Sequence, residues 1–185
     1  MNILYGVQAT GNGHISRSRE VVKALRARGH RVQTLFSGRD RDDLWDVEDF
    51  VPYEWRRGLT FVTCRGRVNY LATAARLRLF RLYRDVRECE AGRYDLVVTD
   101  YEPVTARVAR LRGLPCLGIG HQYAFGYGAV PRAPGNPLAR WVLRSFAPAG
   151  VPLGLHWHHF GAPILPPIVP PLPETLPPPE PDKIL

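Results

Sequence analysis

Thr10-Gly11-Asn12-Gly13-His14-Ile15-Ser16 is the stretch best placed to do chemistry in this 185-residue chain. Its glycines let the backbone turn sharply and come close to a ligand, and a helix starting there offers unpaired N–H groups and a partial positive charge. His14 stands at that helix start, where the dipole favours neutral imidazole, the form a general base needs. The second group is Asp100, which ends the apolar run Asp95-Leu96-Val97-Val98-Thr99. A carboxylate at the carboxyl edge of a sheet can orient an imidazole and stabilise it once protonated. Both residues also have plainer readings. His14 could make only a local hydrogen bond at a helix start, and Asp100 could cap the helix that begins near Glu102.

Other chemistries fit less well. Gly-x-Gly-x-x-Gly is incomplete because Ser16 fills the third glycine position, and the second strand ends in Phe36-Ser37-Gly38 with no carboxylate before Asp40. A dinucleotide ribose therefore lacks its acidic partner, and the Lys-Ser/Thr pair of a phosphate-binding loop is absent. His156, His158 and His159 invite a metal reading, with alternation placing His156 and His158 on one strand face. No acidic or cysteine ligand accompanies them, so a structural or hinge role is preferred. Cys64, Cys89 and Cys116 are odd in number and unrelated in spacing, which favours reduced thiols over disulfides or zinc.

The elements that must hold these groups follow from periodicity. Residues 2–7 read as a buried strand, His14 to Arg28 as a helix stopped by Gly29, and Arg31 to Phe36 as a second strand. Strand, glycine loop, helix and strand make a βαβ unit and imply a parallel sheet. A short charged helix is expected from Arg39 to Phe50, broken strands at Val51–Tyr53 and Leu59–Cys64, and a long helix from Tyr70 to Glu90. Beyond the Asp95–Thr99 strand, a helix runs from Pro103 to Arg112, a strand from Pro115 to Gly120, a glycine- and aromatic-rich loop to Gly135, and a helix from Pro137 to Phe146. Leu153 to Phe160 reads as a last strand or extended segment. The fold class is α/β, a Rossmann-like parallel sheet with helices on both faces.

Ten of the 18 prolines lie between Pro163 and Pro181, a density expected to exclude helix and sheet and to form a stiff linker. Asp182-Lys183-Ile184-Leu185 then looks like a strand starting. The expected organisation is a domain at 1–162, a linker at 163–181 and, at 182–185, the start of a further domain. The net charge is +8, but only Lys23 and Lys183 are lysines among 25 basic residues, and the arginines form no basic run. Nucleic-acid binding is therefore not expected. No apolar stretch is long enough to span a bilayer and no export signal opens the chain, so a cytoplasmic location is expected.

Val7-Gln8-Ala9-Thr10-Gly11-Asn12-Gly13-His14 with Ser16-Arg17 resembles the opening of a bacterial and archaeal glycosyltransferase family of the GT-B fold. That family is related to the lipid-sugar transferase of the peptidoglycan precursor and, remotely, to UDP-glucuronosyltransferases. Further matching segments are Phe36-Ser37-Gly38-Arg39, Arg57-Gly58-Leu59-Thr60-Phe61, Val98-Thr99-Asp100-Tyr101-Glu102-Pro103, Gly120-His121-Gln122-Tyr123-Ala124-Phe125 and Leu155-His156-Trp157-His158-His159-Phe160. They span about residues 2–170. The resemblance implies the N-terminal, acceptor-binding half of an inverting enzyme, with a separate donor-binding domain for a nucleotide sugar, expected to be UDP-linked. It implies His14 as base and Asp100 as its support, with no cofactor and no metal. By the same resemblance Gly11, Asn12, Gly13, Ser16, Glu102, His121 and Gln122 are acceptor-binding, and the acceptor could be lipid-linked. Arg76, Arg78, Arg81 and Arg84 would then suit an anionic membrane on its inner face, or simply form a solvated helix face. The alternative is a non-catalytic Rossmann-like module that binds a nucleotide or a protein.

Overall fold

Every paired strand of the main sheet runs parallel, in the order β3-β2-β1-β6-β7-β8-β9. The computed structural model describes residues 1–60, 63–64, 67–68, 79–131 and 137–171, with backbone alone at 63–64, 67–68 and 138–139. The strands are β1 (Asn2–Gln8), β2 (Arg31–Ser37), β3 (Tyr53–Trp55), β6 (Leu96–Asp100), β7 (Cys116–Gly120), β8 (Val151–Leu155) and β9 (Ile164–Leu165). A separate antiparallel pair joins β4 (Thr63–Cys64) to β5 (Arg67–Val68). The helices are α1 (Asn12–Ala27), α2 (Leu79–Glu88), α3 (Pro103–Arg112), the single turn α4 (His121–Ala124) and α5 (Pro137–Ser145).

Parallel strands are buried on both faces, and the alternation shows it. Ile3, Tyr5, Val7 and Val98 pack with Ile15 and Val22 of α1 on one side. Leu4, Leu35 and Val97 face the other side, with Leu82 and Val86 of α2, Val104 and Val108 of α3, and Phe146 after α5. Gly6 is required by this packing. A Cβ there would overlap Thr105 Oγ1 and lie 2.9 Å from Glu102 Oε2. The chain leaves β1 toward β2 on one side and reaches β6 on the other, so β1 and β6 flank the switch point. That is where a crevice opens at the strands' carboxyl ends.

Three expectations need correction. The span from Arg39 to Phe50 holds only two short 3₁₀ turns, Arg41–Asp43 and Glu48–Phe50. Aspartates there prefer turns to a helix interior, and two of them, Asp46 and Asp49, bind the basic stripe of α1 instead. Arg19 reaches Asp46 at 2.5 Å and Asp49 at 3.1 Å, and Lys23 reaches Asp49 at 3.1 Å. The strand expected over Leu153–Phe160 ends at Leu155, and His156 follows it, its Nδ1 accepting from His158 N–H at 3.0 Å across the bend at 157–158. His156 and His158 therefore do not share a strand face. Finally, the proline-rich stretch begins as sheet. Ile164–Leu165 pairs with Gly154–Leu155, and Ile168 packs on the α1-side core. Residues 70–78 of the expected long helix, with Arg76 and Arg78, and the tail beyond 171, with Asp182, lie outside the described residues.

Candidate functional site

The register Val7↔Asp100 puts the carboxylate beside the end of β1. From there the chain turns through Thr10 and Gly11 into α1, whose first turn brings His14 back over the same strand end. Gly11 is the N-cap and gives α1 no side-chain cap. The glycines here are not demanded by crowding. A Cβ on Gly13 would meet nothing within 4 Å, and one on Gly11 only His14 Cδ2 at 3.6 Å. Asn12 Oδ1 accepts from both terminal nitrogens of Arg39 at 3.2 Å, which ties the loop to the end of β2.

Asp100 does not cap the next helix. Tyr101 takes a positive φ of 53°, and Glu102 becomes the N-cap of α3. Thr99 pins this turn by donating its hydroxyl to Glu102 O at 2.9 Å and accepting from Glu102 N–H at 2.8 Å. Glu102 Oε1 accepts from Val104 N–H at 2.8 Å and from the Ser37 hydroxyl. Its Oε2 accepts from Thr105 N–H at 2.6 Å and Thr105 Oγ1 at 2.7 Å. Burial raises its pKa, with the bonds from Ser37, Thr105 and Val104 opposing. Glu102 was expected to touch an acceptor. It is fully buried with its oxygens committed to the cap, so it is a structural residue.

With the cap supplied by Glu102, both Asp100 oxygens are free for α1. His14 Nδ1 is 2.7 Å from Oδ1, Arg17 Nε donates to Oδ2 at 2.8 Å while its Nη2 donates to Oδ1, and Ser18 Oγ donates to Oδ2 at 3.0 Å. Burial alone would raise the Asp100 pKa. Attraction to His14 and Arg17, with their hydrogen bonds, outweighs it and holds the carboxyl below its ordinary value. A carboxylate accepts only, so His14 Nδ1 carries a proton, and in the neutral ring the outward lone pair is on Nε2. Arg17 Nη2 also lies 3.1 Å from Nδ1, but both are donors converging on one oxygen. Gln122 Nε2, at the start of α4, is 3.5 Å from His14 Nε2. The His14 and Asp100 side chains are 15% and 0% exposed, so the pair is half-shielded and reachable from the crevice.

His121 points elsewhere. Its Nδ1 is 3.0 Å from Leu155 O, and its ring stacks on His156 at 5.4 Å. Gly13, Ser16, Arg17, His121 and Trp157 line a cleft of about 360 Å³. On the other side of Gln122, a cavity of about 280 Å³ is walled by Tyr123, Phe125, Tyr127, Arg140 and Arg144. The structure thus joins His14, Asp100 and Gln122 and sets Gly13, Ser16 and His121 along one adjacent wall. Arg17 and Ser18 are partners of Asp100 that sequence reasoning missed. Their spacing three and four residues after His14, on the same helix face, was the available signal. Cys89 and Cys116 are free thiols that burial pushes up to about 11, and neither adjoins this site. Among the described residues no helix is long and apolar enough to cross a membrane.

The family described as Glycosyl transferase family 1 matches residues 1–152. No curated protein matches the sequence significantly. Among solved structures, the chain is similar to MurG of Acinetobacter baumannii, at 18% identity and TM-score 0.49, over 84% of this chain and 41% of that one. It is also similar to the spinosyn rhamnosyltransferase SpnG, at 19% identity and TM-score 0.48, over 83% and 45%. A third is the glycosyltransferase SnogD from Streptomyces nogalater, at 19% identity and TM-score 0.44, over 85% and 46%. The chain spans less than half the length of each.

Proposed function

The chain belongs to Glycosyl transferase family 1, and on that premise we propose that it is the acceptor-binding domain of an inverting glycosyltransferase of the GT-B fold. The observation that carries this reading is the 2.7 Å contact between His14 Nδ1 and the buried Asp100, which leaves Nε2 free to accept a proton. In the proposed step an acceptor hydroxyl loses its proton to Nε2 as its oxygen attacks the anomeric carbon of a nucleotide sugar. The bond from that carbon to the nucleoside diphosphate breaks, and the electron pair leaves with the diphosphate. Asp100 compensates the imidazolium that forms, and proton removal of this kind contributes ~10²–10⁴ in rate. The open space beside Gly11 and Gly13 supports close approach of a ligand to the start of α1.

The donor, taken to be UDP-linked, would sit on a second domain, and no cofactor or metal is assigned to the step. Stereochemistry tests the reading. The complete enzyme, supplied with UDP-sugars and an acceptor panel, should give a product of inverted anomeric configuration by NMR. A retained configuration would overturn His14 as the base of a single displacement.

A further inference from the structure

His14 Nε2, the nitrogen that Asp100 leaves free, faces Gln122 Nε2 at 3.5 Å. The other end of the same amide, Oε1, is buried and has no hydrogen-bond partner among the described residues. A buried acceptor left unpaired is unfavourable, so a native structure that keeps one usually has a use for it. A Cβ on Gly120 would stand 3.1 Å from Gln122 Oε1 and 3.7 Å from Asp100 Oδ1, so both oxygens border the same glycine. The amide turns its donor end toward the imidazole and leaves its acceptor end unpaired.

This orientation suits only one state of His14. Toward a neutral ring, Gln122 N–H faces the Nε2 lone pair. Once Nε2 carries a proton, two donors face each other. Rotation about the terminal torsion of glutamine is soft and roughly two-fold. It would bring Oε1 to the Nε2–H and carry the amino group to the place the oxygen leaves.

We infer that Gln122 is a positioning residue whose amide reverses as His14 takes up a proton, so that Nε2 has a partner in both states. This rests on the reading of His14 as the base. In the resting site Gln122 holds the ring plane until the acceptor hydroxyl takes its place at Nε2. After transfer its carbonyl receives the Nε2–H until the proton is lost to solvent. Gln122 also lines the 280 Å³ cavity, so an occupant there touches the residue that aligns the base. The other groups facing His14 are Asp100 at the end of β6 and Arg17 on α1, with Ser18 of α1 and Tyr5 of β1 adjoining the carboxylate. His121 on α4 turns away to Leu155 O.

Nuclear magnetic resonance of the ¹⁵N-labelled chain tests this without any substrate. Ring nitrogens of His14 and the side-chain amide of Gln122 are followed together over about pH 5 to 9, the range in which histidines change charge. The Gln122 amide protons should move with the same midpoint as the His14 ring. A hydrogen bond to a charged donor is about twice as strong as one between neutral groups. Gln122→Met, similar in length but without the amide, should therefore lower the His14 protonation constant roughly three- to tenfold, and Gln122→Glu should raise it. In the complete enzyme Gln122→Met should lower kcat roughly tenfold with little change in acceptor KM, the signature of an interaction that matters in the transition state. Amide signals that stay flat through the His14 titration, or an unchanged midpoint in Gln122→Met, would overturn the inference. Should the amide and ring titrate together while neither His14→Ala nor Gln122→Met affects turnover, the contact stands and the base reading fails.

Discussion

Replacing Asp100 by asparagine keeps the size of the side chain and removes its charge, and the surrounding donors make the consequence calculable. Oδ1 receives His14 Nδ1 and Arg17 Nη2, while Oδ2 receives Arg17 Nε and Ser18 Oγ. Either orientation of the new amide aims its NH₂ at a donor. Facing His14, it forces the proton from Nδ1 to Nε2 and abolishes the outward lone pair. Facing Arg17 Nε, it leaves a guanidinium unmatched. Charge-assisted hydrogen bonds contribute ~1.5–3 kcal/mol each, and breaking a buried pair from one side costs ~3–5 kcal/mol. Arg17 keeps a 14% exposed side chain and regains some hydration, so a loss of about 3 kcal/mol is expected, or roughly 6–12 °C in Tm for a chain of this size.

The pH dependence has a definite sign. The folded pKa of Asp100 is depressed, so its stabilisation is complete above the unfolded carboxyl value of about 3.9 and is lost as pH falls through the lower folded value. The gap between Asp100→Asn and wild type should therefore be widest above that range and narrow on acidification. Urea unfolding at several pH values gives the gap, and long-range ¹H–¹⁵N spectra give the His14 tautomer. A loss under 1 kcal/mol would refute the arrangement, while the tautomer reports which of the two orientations the new amide takes.

Gly13→Ala should leave stability unchanged or raise it by up to ~1 kcal/mol, because the position is helical and its Cβ meets open space. Turnover of the complete enzyme should nonetheless fall, and an undiminished rate would show that no ligand approaches there. Glu102→Ala removes a cap and leaves four donors unmatched, so it should cost about 2–4 kcal/mol by urea unfolding without moving the His14 ring signals. In a Cys64→Ala background, Cys89 and Cys116 should react slowly with a thiol reagent at neutral pH in the native chain and rapidly in urea, since both are pushed up to about 11.

Much of the frame was readable because buried parallel strands are short apolar runs and Gly29 and Gly113 end helices visibly. Ile3-Leu4-Tyr5 and Leu96-Val97-Val98 mark β1 and β6, and their adjacency places a residue after one beside a residue after the other. His14 and Asp100 were therefore reachable as a pair. What composition could not show was which acid caps α3. Asp100 and Glu102 are both plausible caps, and only the positive φ at Tyr101 with the Thr99–Glu102 clasp gives the role to Glu102. Tertiary partners hid the rest. Asp46 and Asp49 are drawn to α1, and Ile164–Leu165 forms a strand among prolines because β8 offers a free edge.

The most direct test of the proposed chemistry is turnover of the complete enzyme carrying His14→Ala, with its fold verified by circular dichroism. The expected result is a fall in kcat on the order of a hundredfold or more against wild type. Turnover equal to wild type would contradict the assignment of His14 as the base.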